Sequence, residues 1–404
     1  MGILTCATSC QSKQESQTQP TFLQSESTSL NSQPSLPSVL SLSSQSQHPS
    51  TNHQCISTLK GHTSYVFTLT ITGKRLYSGS SDGEIRTLNN INPSETHSGP
   101  ADSRNTVLIG KSAVKSILVS GENLFSAHQD SKIRVWQIEN RNYKLLATLP
   151  TLKDRVLRFL PTKNHIQVRR HKKCTWVHHV DAVSGLAISE DTTILYSVSW
   201  DRTLKIWRTS DFRCLESVAN VHDDAINAIT VSNDGFIYTG SADMKIKVWK
   251  KLPKEKNHSL VATLKQHKSA VNALALSSDG MVLYSGACDR SIVVWERMSG
   301  STCGGHMVVV GALRGHVKAI LCLALVSDLV CSGSADKTVR IWQKGVDKRY
   351  ACLAVLEGHK APIKCIAAAV DHSSSYTCGT SHLIYSGSLD CDIKVWQLFS
   401  ATQS

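Results

Sequence analysis

No apolar run in this 404-residue chain reaches the roughly 18 residues that a membrane-spanning helix needs, so no transmembrane segment is expected. No secretory apolar core opens it. Its 13 cysteines include no CxxC pair and no Cys/His set at finger spacing, which argues against a metal site. Several of them, such as Cys322, Cys331 and Cys365, lie inside apolar strand-like runs and read as reduced, buried thiols of an intracellular protein. Phosphate-cradling, kinase and GxSxG patterns are missing too, so no catalytic residue, cofactor or metal is expected. Residues 1–50 have almost no aromatics and are dominated by Ser, Gln, Thr and Pro. Such a segment cannot bury enough apolar area to offset its chain entropy, and it is read as a disordered tail. Its start, Met1-Gly2-Ile3-Leu4-Thr5-Cys6, nearly matches an acylation pattern, but Cys6 stands where a hydroxyl residue is required. An acylated and a plain terminus both remain open.

What the chain does have is recurrence. Leu59-Lys60-Gly61-His62 is followed by the apolar run Val66 to Ile71 and then by Leu76-Tyr77-Ser78-Gly79-Ser80-Ser81-Asp82. The order returns with Asp130, Asp201, Asp243, Asp289, Asp336 and Asp390. Six residues after each of these stands Trp136, Trp207, Trp249, Trp295, Trp342 or Trp396; Leu88 fills the slot after Asp82. A histidine lies upstream in six of seven repeats, at His62, His179, His222, His267, His316 and His359. The second repeat has Gly110 and Lys111 there. Four residues before each Asp is a hydroxyl: Ser78, Ser126, Ser197, Thr239, Ser285, Ser332 or Ser386.

Each repeat reads as short strands broken by tight turns, with the Asp at a sharp bend. Buried polar groups need partners. A hydroxyl, an imidazole, a carboxylate and an indole N–H can satisfy one another, which explains why the four recur at fixed spacing. The structural network is therefore assigned to sets such as His62, Ser78, Asp82 and His316, Ser332, Asp336, Trp342. A Ser–His–Asp hydrolase would need the set once, not in nearly every repeat, so the set is read as structural.

The Gly-His, Ser-Gly-Ser-x-Asp and Ile-x-Val-Trp signatures over residues 55–398 resemble the WD40 family. Trp is never followed by Asp here, but the turn Asp and the Trp are both present. The resemblance implies an all-β, seven-bladed WD40 β-propeller over residues 54–400, following the disordered tail. It also implies that Gln54 to Leu59 supplies the outer strand of the last blade. The polar tail, the seven repeats and a basic insert are most similar to the plant JINGUBANG-like WD40 proteins.

Two insertions break the rhythm. One, residues 371–382, lengthens the loop between the first two strands of the seventh blade. The other lies between Trp136 and His179. With the outer strand of that blade placed near Cys174 to Val177, residues 141–171 become an inserted basic loop opposite the turn-Asp face. A strand at Lys144 to Leu149 is the alternative. Residues 141–173 hold ten Lys and Arg against Asp154 alone, nine of the thirteen net positive charges. Arg155, Arg158, Arg169, Arg170, Lys172 and Lys173 form this basic patch. An inert solvated loop, an acidic protein partner, a nuclear-import signal and nucleic-acid phosphate all remain open. No base-reading platform accompanies it, so nucleic acid is disfavoured.

In the family the contact surface is the face carrying the turn-Asp and Gly-His loops. Carried over to this chain, the exposed rim includes Tyr65, Phe67, Lys115, Trp200, Asn227, Asn272 and Lys364, with Ser184 and Leu321 at matching positions. Exposed aromatics are preferred anchors, which singles out Trp200, Tyr65 and Phe67. The reading is a monomeric, non-catalytic scaffold or adaptor for protein–protein interactions in regulatory signalling. The resemblance implies plant developmental regulation in cytoplasm and nucleus; the partners expected are other proteins, a transcription regulator and, from the basic patch, one acidic partner among them. The alternative is a substrate receptor of a cullin-type ubiquitin ligase, although no repeat carries Trp-Asp-x-Arg; the nearest is Trp295-Glu296-Arg297.

Overall fold

The structure is a computed structural model that describes residues 40–42, 52–89, 106–110, 112–139, 142–157, 165–169, 172–298, 306–345, 347, 349–371 and 380–400. Seven four-stranded antiparallel sheets follow one another along the chain as the blades of a propeller. Six are simple meanders, such as Val271–Leu276, Val282–Ala287, Ser291–Arg297 and Met307–Arg314 in blade 5. The seventh pairs Ile363–Asp371, Thr380–Ser388 and Ile393–Ser400 with His53–Leu59, from the other end of the sequence. Leu59 lies opposite Ile393 and His53 opposite Leu398. This pairing gives the last blade its outer strand and locks the ring.

The burial of the strands follows from stacking blade on blade. Second strands are covered on both faces and read as unbroken runs, as in Leu329–Ser334, where all six residues are buried. In five blades a glycine at the penultimate position of this strand lets the next blade approach; blades 2 and 3 carry Ala127 and Val198 there. A Cβ on Gly333 would stand 2.8 Å from Ile363 of the following inner strand, and one on Gly387 would stand 2.8 Å from Val66 of blade 1. The same contact thus recurs across the closure. Outer strands are less buried, as in Asn142–Leu149, where four of eight residues are exposed. Core clusters fill the wedges between blades, for example Phe125, Val135, Val183 and Trp207 between blades 2 and 3. Cys322, Cys331 and Cys365 are buried free thiols, and burial pushes Cys322 and Cys331 up to about 12, so they stay protonated.

Three expectations are corrected. The outer strand of blade 2 is Asn142–Leu149, with Ile133 opposite Leu149, so the strand placed at Cys174 to Val177 is wrong and the loop does not begin at residue 141. The physical reason is that an outer strand is held by one neighbour, so its apolar residues need not be buried, and their spacing does not tell it from an exposed loop. The insertion therefore joins the outer strand of blade 2 to the inner strand of blade 3, Val183–Ile188. In a meander, connections alternate between ends. The loop before an inner strand and the turn after the second strand share one end, so the insertion starts and finishes at the turn-Asp end, not at the opposite one. Within it, a short helix, Leu152–Leu157, lies against blade 3, where buried Asp154 accepts the N–H of Cys214 at 2.9 Å. Strands His165–Arg169 and Lys172–Thr175 then form a hairpin, with Arg169 opposite Lys172. Third, Leu40–Leu42, inside the stretch read as disordered, pairs with the propeller: the Ala312 N–H donates to Leu40 at 2.9 Å, and Leu42 donates to Ala312 at 2.9 Å. The insertion in blade 7 falls between two nine-residue strands; residues 372–379 lie outside the described residues.

Candidate functional site: the turn-aspartate face

The recurring residues form one hydrogen-bond chain per blade. In blade 6 the Trp342 indole donates to Ser332 at 2.9 Å, and the Ser332 hydroxyl meets His316 Nε2 at 2.9 Å. His316 Nδ1 in turn lies 2.8 Å from Asp336, whose carboxylate also accepts the Val317 and Thr338 N–H groups. Because a carboxylate only accepts, Nδ1 carries the proton and Nε2 receives the hydroxyl hydrogen. Blades 4, 5 and 7 repeat the geometry with His222–Asp243, His267–Asp289 and His359–Asp390 at 2.8–2.9 Å. In blade 3, His179 Nδ1 bonds Thr203 at 2.8 Å and lies 3.4 Å from Asp201. Burial alone would raise the Asp243 and Asp289 carboxyls. That is the largest single effect, but the hydrogen bonds and charge of His222 and His267 together with neighbouring donors outweigh it and hold both at about 2.

Blades 1 and 2 depart from the pattern. In blade 2 the missing upstream imidazole is supplied by His128, two residues before the turn Asp: its Nε2 is 2.8 Å from Ser126, which also accepts the Trp136 indole. Asp130 turns to Arg134 at 2.6 Å. The sequence reading missed His128 because it searched only the loop position; the signal was an imidazole where other repeats carry Ser or Ala. In blade 1, His62 bonds Ser78 at 2.7 Å, but Asp82 does not take His62 Nδ1, which corrects that expected link. Asp82 is satisfied by Thr63 at 2.9 Å and by the Glu84 N–H. His62, Asp82 and Glu84 bring donor atoms within 4.8 Å of one another. However, Arg86 holds Glu84 Oε2 at 2.9 Å through both Nε and Nη2, and its fixed charge repels a cation from that spot. The set is therefore an ion pair beside a neutral imidazole. Burial and the neighbouring Arg86 lower His62 to about 4, and burial with Arg134 does the same to His128.

Above these networks, every inner strand carries a register shift after its first residue, bracketing Phe67, Lys115, Ser184, Asn227, Asn272, Leu321 and Lys364. A bulge re-aims one side chain per blade. These seven residues are all half-buried rather than fully exposed. Three are tied to the next blade: Ser184 donates to Ile226 O at 2.5 Å, Asn227 to Val271 O at 3.0 Å and Asn272 to Ile320 O at 2.8 Å. Asn227 and Asn272 therefore brace the ring at the rim.

Tyr65, Phe67, Lys115 and Trp200 come from three blades and meet. The Lys115 ammonium lies 4.3 Å from the Phe67 ring centroid and 5.1 Å from that of Trp200. Tyr65 stands 6.5 Å from Phe67 and is 45% exposed, while Trp200 is half-buried across the blade boundary. Of the basic patch, Arg155 donates to Pro150 O at 3.0 Å. Arg158 and Arg170 lie outside the described residues, and Arg169, Lys172 and Lys173 are described only as backbone of the hairpin.

The family described as WD domain, G-beta repeat matches residues 53–87, 171–208, 213–250, 258–296, 307–343 and 350–397. The chain belongs to this WD40 family. The unmatched interval 88–170 contains blade 2, where His128 replaces the loop histidine. The chain is similar to Jouberin of Rattus norvegicus, 28% identical over 223 residues, covering 54% of this chain and 21% of that protein. It is likewise similar to Zinc finger CCCH domain-containing protein 62 of Arabidopsis thaliana, 28% identical over 164 residues, covering 41% of this chain and 37% of that protein. The chain thus spans well under half the length of these curated relatives. WD40 propellers are generally non-catalytic scaffolds with protein partners. Among the described residues, no helix is long and apolar enough to cross a membrane.

Proposed function

We propose that this WD40 propeller is a scaffold that binds a protein partner through the turn-Asp face, centred on Tyr65, Phe67, Lys115 and Trp200. The carrying observation is the cationic side chain held between two aromatic rings at the junction of blades 1, 2 and 3. A pre-ordered aromatic and cationic cluster loses little side-chain entropy on binding, which favours it as an anchor. The ammonium suits a partner segment with a carboxylate beside an apolar group. The resemblance to JINGUBANG-like proteins supports a plant developmental setting in regulatory signalling, with a transcription regulator among the partners. It supports residence in cytoplasm and nucleus, and a monomeric propeller. The basic hairpin region would contact an acidic partner surface or serve nuclear import. A cullin-ligase receptor gains little support, because Arg297 is committed within the propeller to Asp234 at 2.8 Å and Tyr238 at 2.9 Å.

The test is quantitative affinity capture from native tissue with wild type, Trp200→Ala and Lys115→Ala, alongside thermal melts. At least one partner should be depleted about tenfold or more by both variants while the melts stay close to wild type. Identical partner sets from well-folded variants would overturn the reading.

A further inference from the structure

Leu40, Ser41 and Leu42 lie on the outer edges of blades 5 and 6. The outer strand of blade 5, Met307–Arg314, pairs with them in parallel through Ala312, and the Tyr350 N–H of the outer strand of blade 6 donates to Leu42 O at 2.9 Å. Two blades thus hold one three-residue strand by backbone bonds. The Leu42 side chain packs with a cluster that includes Val294, Leu313, Trp342 and Tyr350, whereas Leu40 is 79% exposed.

Gly311 explains the fit. It sits in a strand without a positive φ, so no turn demands glycine there. A Cβ added to it would stand 2.4 Å from Leu42 Cγ and 2.8 Å from both Leu42 methyls, and these are its three nearest atoms. The propeller leaves this backbone bare where a leucine from outside the blades sits on it.

We propose that the groove between the outer strands of blades 5 and 6 is a peptide-binding site for an extended protein segment presenting one leucine among serine-sized neighbours. The chain's own Leu40–Leu42 occupies it and competes with such a segment from a partner. Free strand edges supply the backbone bonds, as in β-strand addition, and the Gly311 seat supplies side-chain selectivity. The site lies on the periphery and is independent of the Trp200 cluster.

The probe is a fluorescent peptide of residues 36–46, titrated by anisotropy into the full-length protein. Wild type, with its groove filled, should bind weakly. Leu42→Asp, which unseats the resident strand, should bind at least tenfold more tightly. Leu42→Asp combined with Gly311→Ala should lose that gain while melting like Leu42→Asp alone, because the new methyl takes only the space the leucine vacated. Adding Trp200→Ala to Leu42→Asp should leave peptide binding unchanged. If Leu42→Asp binds no better than wild type, or if Gly311→Ala has no effect on it, the proposal is overturned. A wild-type dimer abolished by Leu42→Asp would place the strand on a second copy and would also overturn competition within one chain.

Discussion

Asp336→Ala and Asp82→Ala remove the same residue type from the same turn in two blades, yet they should not cost the same. Asp336 accepts from four groups: His316 Nδ1, the Val317 and Thr338 N–H groups, and the Thr338 hydroxyl. Alanine leaves the N–H of a buried imidazole, since His316 is 1% exposed, with only the Thr338 hydroxyl at 3.3 Å in place of a carboxylate. Leaving a buried donor unpaired costs about 1–3 kcal/mol. The other three donors lie nearer solvent and would lose about 0.5 kcal/mol each as water replaces the carboxylate. The total is about 3 kcal/mol. Asp82 leaves no imidazole behind, because His62 Nδ1 is already without a hydrogen-bond partner; it leaves the Thr63 and Ser80 hydroxyls and the Glu84 N–H, and at about 0.5 kcal/mol each its loss should cost about 1.5 kcal/mol. With an unfolding entropy of about 2.1 cal/mol/K per residue over roughly 300 described residues, these become losses of about 5 °C and about 2 °C in Tm. Thermal and urea melts of both variants at neutral pH would measure them. Equal losses, or a neutral Asp336→Ala, would refute the view that the imidazole–carboxylate bond carries the turn's contribution.

The acid limb of stability should have two steps. His62 and His128 are held near about 4 when folded, so the unfolded chain takes up protons first and stability falls as pH drops from about 6.5 to 4. Asp243 and Asp289, held near about 2, contribute stability that is present above about pH 4 and is lost as pH falls toward 2; urea midpoints from pH 8 to 3 should show an onset near 6.5, and a flat curve down to pH 4 would contradict the histidine assignment. Deleting residues 1–50 should lower Tm slightly through loss of Leu42, whereas deletion through Leu59 should lower it severely by removing the closing strand; equal midpoints would rule out that role. Asp154→Ala should release the short helix from blade 3 and speed limited proteolysis within residues 150–176, and an unchanged cleavage rate would show that the bond to Cys214 does not hold it.

The propeller was legible because its polar network forces four residue types into register in a single chain. Trp342 and Asp336 must be six residues apart for the indole and the carboxylate to reach the same imidazole–hydroxyl pair from two ends of one strand and its turn. The closing strand was legible because the family resemblance places a strand ahead of the first Gly-His in the last blade, and His53–Leu59 takes that place. The aromatic members of the face cluster could be named from repeat position, but their meeting around Lys115 could not, since it depends on bulges that re-aim side chains across blade boundaries. His128 was hidden because the network needs an imidazole at a point in space, and two different backbone positions reach it. Leu40–Leu42 was hidden because three residues in a serine-rich stretch carry no periodicity, and the complementary signal, Gly311, looks like an ordinary strand glycine until its neighbour is seen.

The misplaced outer strand matters more than its length suggests, because it moved the insertion from one end of the propeller to the other. Asn142–Leu149 carries Tyr143, Leu145, Leu146 and Leu149, but in an outer strand they meet one neighbour rather than two, and Leu145 and Leu146 remain exposed. Of the two placements open from the sequence, Cys174 to Val177 and Lys144 to Leu149, strand pairing decides for the second: Trp136 lies opposite Leu145 and Val135 opposite Ala147. With the strand there, the connection to blade 3 starts and ends beside the Trp200 face. Buried Lys205 ties its return, donating to Trp176 O at 2.5 Å and to Ser217 at 2.6 Å. The placement of the basic insertion opposite the turn-Asp face thereby loses its basis. The arrangement that replaces it sets the aromatic cluster and the ends of the insertion on one face, where a single partner could engage both. Binding would then be coupled: neutralising Lys172 and Lys173 together should weaken the Trp200-dependent partner and flatten its salt dependence. If that partner instead binds unchanged at every ionic strength, the insertion and the cluster act separately despite sharing a face.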